Sequence, residues 1–220
     1  MFVDMHMHEM TFSSDSEQKL KDMVKTAKAK GLDAICITDH DSMGLKEYAE
    51  HYSKEVGFPI FVGVEFYSLQ GDILAYGIDS IPDQRIDAQD FIDFVNDRGG
   101  VTFACHPFRN NNRGLEHNLK NVTGLTGIEV LNGSTPFEPN KLAYEYCDEL
   151  GLMAIGAGDS HHLEAIGRYA TWLPEMVHTT EDFVRLLKKG VSIPAIPNMS
   201  GGYTAIDMEN YFRPQQVANQ

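Results

Sequence analysis

A chain of 220 residues with 42% hydrophobic residues, including 12 Phe and 9 Tyr, can bury a sizeable core, which excludes intrinsic disorder. Its 32 acidic residues outnumber 18 basic ones and leave a formal charge of −14, so the basic footprint of a binder of long nucleic acid is missing. Cys36, Cys105 and Cys147 have no CxxC spacing, there is no basic leader, and no apolar run is long enough to span a bilayer; these features predict a cytoplasmic protein without disulfide, zinc ribbon or membrane segment.

Residues 2–6 read as a strand. Ser14 and Glu17 have the spacing of a capping box before a helix with Leu20, Met23, Val24 and Ala27 on its apolar stripe, ended by Gly31. A continuous β-rich run, 34–38, has the character of a strand buried on both faces. The cycle repeats: helix 43–56, strands 59–65 and 73–77, helix 88–98, strand 101–105, strand 127–131, helix 138–150 and strand 152–157. Strand 169–173 and a helix capped at Thr180 and stopped by Gly190 end the regular part, and the Gly-, Pro- and Asn-rich tail from about 194 is expected to be irregular. Such alternation indicates one α/β domain over residues 1–220 with a mainly parallel sheet, and at this length a small or incomplete barrel suits better than a full eight-fold one.

Polar residues concentrate where strands end. His6 and His8 close the first strand, Asp39, His40 and Asp41 the second, and Glu65 the third; His106 follows 101–105, and Asp159 and His161 follow 152–157. Strand C-termini share one face of a parallel α/β fold, where sites are built. One such histidine is commonly structural, but five strand ends carrying imidazole or carboxylate are hard to explain that way. His6 and His8, at i and i+2, point to the same side of a strand and can grip one cation or two adjacent ones. Asp4 shares that side and is placed to support a ligand imidazole, and Asp15 lies in the following loop. Imidazole and carboxylate without thiolate suit Zn, Mn or Fe in a catalytic centre. Cys105 is expected to point away from His106 across its strand, so a thiolate–imidazole pair is not anticipated.

At these residues the chain resembles the polymerase and histidinol phosphatase (PHP) family. The likeness rests on Asp4-x-His6-x-His8, Ser14-Asp15, Thr38-Asp39-His40-Asp41, Gly63-Val64-Glu65, His106-Pro107 and Gly158-Asp159-Ser160-His161, in the family's order. It implies a distorted (β/α)7 barrel with two or three divalent ions (Zn, Mn or Fe) for phosphoester hydrolysis. His6, His8, Glu65 and Asp159 would hold one ion; Glu65 would bridge to a second shared with His106; Asp15, His40 and His161 would hold a third. Where many relatives carry a histidine after the bridging glutamate, this chain has Asp72, a further candidate ligand for the second ion.

Phosphate recognition needs cations near such a cluster, and Arg109 and Arg168 are the candidates. Asp41 is placed to orient His40 or assist proton transfer. Glu129 lies mid-strand, facing the barrel interior, and Asn132 is placed to contact substrate or cap a turn. The expectation is hydrolysis of a small phosphate ester by a metal-bound hydroxide, with a small phosphorylated substrate, no long nucleic acid and no membrane partner. Two alternatives share the residues: a 3′–5′ exonuclease acting on short oligonucleotides, and a non-catalytic metal-binding regulatory module.

Overall fold

Buried β-rich runs and amphipathic helices alternate as the patterning predicts, and their pairing bends the sheet around a polar mouth. The structure, a computed structural model, describes residues 1–213. β1 (Phe2–Asp4), β2 (Ala34–Ile37) and β3 (Ile60–Tyr67) are parallel neighbours, as are β5 (Val101–Ala104), β6 (Gly127–Asn132) and β7 (Met153–Ala157). Between the two sets runs β4 (Asp72–Tyr76), antiparallel to both β3 and β5. The reversal follows from chain length: residues 68–71 allow a turn, whereas a parallel return needs a crossover of about a dozen residues.

The sheet curls until the segments following β1 and β7 meet. Met7 and Ser160 form a parallel bridge, and the His8 N–H donates to the Ser160 carbonyl at 3.0 Å. β1 to β7 thus curl into the distorted barrel that the family resemblance implies, within one ten-stranded sheet. Helices α1 (Leu20–Ala29), α2 (Lys46–Val56), α3 (Ala88–Asp97) and α4 (Phe137–Leu150) connect its strands. α1 buries Leu20, Met23, Val24 and Ala27, and α3 buries Phe91, Ile92 and Val95. The end opposite the mouth is apolar. There Phe183 of α5 (Thr180–Lys188) stacks on Phe61 at 4.3 Å and meets Tyr76 edge-on at 5.6 Å.

The structure corrects three local expectations. Ser14 and Glu17 form no capping box: α1 begins at Leu20 after Lys19, which makes no side-chain cap. The intervening loop is tied to the mouth instead, where Ser16 Oγ donates to the His8 carbonyl and Gln18 Nε2 to the His8 and Ser160 carbonyls. In α5 the cap is Thr179, not Thr180; its Oγ accepts the Asp182 N–H at 3.1 Å. The tail is also not irregular through 213. β8 (Ala170–Trp172) pairs antiparallel with β1 and leaves an edge, which β9 (Ile193–Pro197) and then β10 (Tyr203–Ala205) extend. Asn198 Oδ1 closes the turn between them by accepting the Ser200 and Gly202 N–H groups. α6 (Met208–Phe212) follows and buries Met208 and Phe212, and the rest of the expected tail lies outside the described residues.

Gly63 lets β3 and β4 approach closely: a Cβ there would lie 2.4 Å from the Ala75 carbonyl oxygen and 2.5 Å from the Tyr76 ring. Gly63→Ala is therefore expected to destabilise the protein by about 1–3 kcal/mol, the usual cost of overpacking. Denaturant titration checks this, and an unchanged midpoint would contradict the close approach.

Candidate metal centre

Glu65, projecting inward from β3, is the residue around which the other strand ends assemble. Its Oε2 lies 2.9 Å from His40 Nδ1, 3.3 Å from His8 Nε2 and 3.4 Å from His6 Nε2, while Oε1 lies 2.8 Å from His106 Nε2. Asp159 Oδ1 stands 3.5 Å from His6 Nε2 and 3.4 Å from His8 Nε2. Asp15 Oδ2, at the exposed rim, lies 3.1 Å from His40 Nε2 and 3.3 Å from His161 Nε2. Thus His6, His8, Asp15, His40, Glu65, His106, Asp159 and His161, dispersed over the sequence, converge at one mouth.

These side chains fit cations better than they fit one another. His6 Nε2, His8 Nε2, His40 Nδ1, Glu65 Oε2 and Asp72 Oδ1 are buried without a hydrogen-bond partner, although several face each other within 3.5 Å. Unsatisfied buried polar atoms are costly. Ligand bonds of about 2.1 Å at tetrahedral angles place donor atoms about 3.4 Å apart, which is the spacing among His6, His8, Glu65 and Asp159. The sets His6–His8–Glu65, His6–His106–Asp159, His8–His40–His161 and Glu65–Cys105–His106 could each hold an ion.

Surrounding groups fix which nitrogen is bare. Glu129 Oε1 lies 3.1 Å from His6 Nδ1, so that nitrogen carries hydrogen and Nε2 faces Glu65 and Asp159. Glu129 Oε2 also accepts the His106 N–H at 2.7 Å and Asn132 Nδ2 at 2.9 Å. Ser13 donates to Asp39 at 2.9 Å and is therefore an acceptor towards His8 Nδ1 at 3.2 Å, again leaving Nε2 bare. Burial alone would lower His6, but Asp159, Glu129 and Glu65 hold it well above the ordinary histidine range. Burial pushes His8 down to about 4. The carboxylates around His6 thus favour positive charge at the point its bare Nε2 faces, which a bound cation would supply.

Other candidates stand apart from this geometry. Asp72 Oδ2 is 3.9 Å from His106 Nε2 but accepts Arg113 Nε at 2.7 Å, leaving Oδ1 free. Arg109 reaches the cluster, its Nη1 donating to Asp159 Oδ2 at 2.5 Å. Arg168 does not; it is exposed and donates to the Gly133 carbonyl at 3.1 Å. Asp41 makes no hydrogen bond to His40; its Oδ1 accepts the Tyr67 N–H at 2.8 Å. Asp4 supports no imidazole; it accepts the backbone N–H groups of His6, Gly158 and Gly167. Asn132 holds Asp159 Oδ2 at 3.0 Å and also closes the following turn through Ser134 and Thr135.

Cys105 does not point away from His106. It keeps the inward alternation of Val101 and Phe103, its Sγ 3.5 Å from Glu65 Oε1, and it is His106, at φ 31°, that leaves the extended region and turns to the same side. Asp41 and Asp159 also have positive φ, 47° and 48°. Backbone strain gathered at strand ends is a mark of functional positions.

Ions bound here would stabilise the fold. Chelation of metal-loaded protein is expected to lower the melting temperature by roughly 10 °C for each tightly held ion. Differential scanning fluorimetry with and without EDTA measures this, and coincident melting curves would contradict it.

Comparison with known proteins places the fold and the family. An uncharacterised protein of Methanocaldococcus jannaschii is 25% identical over 118 residues, which are 54% of this chain and 68% of that protein. A candidate metal-dependent phosphoesterase from Bifidobacterium adolescentis superposes with a TM-score of 0.64 at 19% identity, over 86% of this chain and 96% of its own. An amidohydrolase from Chromobacterium violaceum, solved with bound sulfate and no metal, gives 0.64 at 18% identity, over 90% and 99%. At these identities the structural likeness is one of fold. The profile of the PHP domain matches residues 4–190, from the first acid of the opening strand to the glycine after α5, and the chain belongs to the PHP domain family.

Proposed function

We propose that the protein is a metal-dependent phosphoesterase that hydrolyses a small phosphate ester. The observation that carries this reading is the set of buried, unpartnered nitrogen and oxygen atoms converging on Glu65 beside an arginine. Membership of the PHP domain family and the fold's likeness to the Bifidobacterium phosphoesterase support the same class.

The residues assigned to the ions are His6, His8, Glu65 and Asp159 for one, Glu65 and His106 with Asp72 for a second, and Asp15, His40 and His161 for a third. Zn, Mn and Fe suit this mixture of imidazole and carboxylate. Such ions, when bound, lower the pKa of a water towards neutrality and offset charge on phosphoryl oxygens. The chain's own groups do the positioning. Glu129 and Ser13 hold the rings of His6 and His8 in one tautomer, and Asn132 and Arg109 fix the second oxygen of Asp159. Arg109 is only partly exposed beside Asp159, where the planar fork of a guanidinium suits a phosphoryl group. The excess of acids disfavours a long polynucleotide as substrate, which supports a small ester.

His6→Ala is expected to abolish phosphate release and reduce bound metal. Glu129→Gln, which keeps an acceptor for His6 but removes the charge, is expected to lower metal affinity or activity by roughly 10–100-fold. A phosphate-release screen across small phosphomonoesters, coupled to elemental analysis, reads both. Full turnover and metal content in His6→Ala would refute the assignment.

A further inference from the structure

Beside the metal centre two arginines are gathered by a single ring. Tyr67 lies two residues beyond Glu65 on β3, so the two side chains leave the strand on the same side, and it pairs directly with Asp72 of β4. The guanidinium carbon of Arg113 lies 3.9 Å from the Tyr67 ring centroid and that of Arg85 lies 3.7 Å from it. Two planar cations cannot share one face of a ring at those distances, so Tyr67 is held between them. Arg113 also reaches Asp72 Oδ2, which is 3.9 Å from His106 Nε2. The stack therefore begins at the edge of the metal centre and leads outward to Arg85, which is exposed.

Among the described residues no carboxylate pairs with the outer arginine, although Asp41 and Asp83 line the same pocket. Acids outnumber bases 32 to 18, yet Arg113 commits only Nε to Asp72. A guanidinium stacked on a ring does not spend its N–H groups on that contact, so they remain able to take an anion through two parallel bonds. Two cations flanking one ring repel each other, and a bound anion relieves that repulsion.

We propose that Tyr67, Arg85 and Arg113 form a second anion-binding position, which holds a further phosphate or carboxylate group of the substrate while the ester phosphate lies at the metal centre. The proposal rests on the phosphoesterase reading and narrows it to small molecules bearing two separated anionic groups. Arg109 serves the reacting phosphate; Arg85 and Arg113 select for what lies at the other end.

The test is binding by non-hydrolysable probes to the metal-loaded protein. Isothermal titration compares alkane bisphosphonates of increasing spacer length with the matching alkyl monophosphonates, for the native chain and for Arg85→Gln. Arg85 is exposed, so its replacement leaves the fold intact. At one optimal spacer the bisphosphonate is expected to bind about tenfold or more tightly than its partner, and Arg85→Gln should bring that ratio close to one. Added salt should weaken the preference as well. Equal binding of the two probe series, or a preference that survives Arg85→Gln, overturns the proposal. Failure of every phosphonate to bind would instead overturn the phosphoesterase reading itself. An Arg85-dependent gain confined to a 5′-phosphorylated dinucleotide would assign the second anion to a neighbouring phosphodiester and overturn the small-molecule form.

Discussion

A buried carboxylate surrounded by imidazoles governs this structure. Glu65 is 1% exposed, yet its oxygens approach four imidazole nitrogens within 3.4 Å. Bare nitrogens and carboxylate oxygens pointed at one another are not self-sufficient; they become favourable when positive charge stands between them. The barrel brings β1, β2, β3, β5 and β7 to the same end, and the parallel bridge between Met7 and Ser160 closes the ring just where His6, His8, Asp159 and His161 lie. Because the donors come from separate elements, their spacing is set by strand register and not by any local loop.

Charge distribution follows from the same constraint. Asp4, Asp39, Glu65, Asp72, Glu129 and Asp159 are all buried, and each has a specific partner. Asp4 is pushed up to about 7 by burial despite three backbone N–H donors, and Asp39 to about 6 for the same reason despite Glu9 N–H and Ser13. These two brace backbone at the mouth, while Glu129 steers His6 and the His106 backbone. Gly158, whose Cβ would stand 2.5 Å from Asp4 Oδ2, leaves room for that bracing. The net charge of −14 thus includes an interior set of acids with defined positional roles as well as an acidic surface.

Much of this was legible in the sequence because both signals are periodic. β-rich runs mark the strands, and ligand-type residues at their ends mark the mouth; His6, His8, His40, Glu65, His106, Asp159 and His161 needed only that logic. What escaped depends on geometry that a linear pattern does not carry. Cys105 and His106 face the same side because His106 leaves the extended region, while Cys105 keeps its strand's alternation. Tyr67, Arg85 and Arg113 become neighbours only through the β3–β4 reversal and the loops that pack beside it. The backbone contacts of Asp41 with Tyr67 and of Arg168 with Gly133 likewise join segments distant in sequence. The strands after 194 were hidden because their Gly, Pro and Asn content resembles a loop, whereas the free edge of β8 supplies the pairing that orders them.

Anomalous diffraction from crystals grown with zinc or manganese, recorded at the metal edge, tests the central claim most directly. The account predicts strong peaks flanking the Glu65 carboxylate, one of them among His6, His8 and Asp159. A map without density between these side chains, at metal concentrations that saturate the crystal, would contradict it.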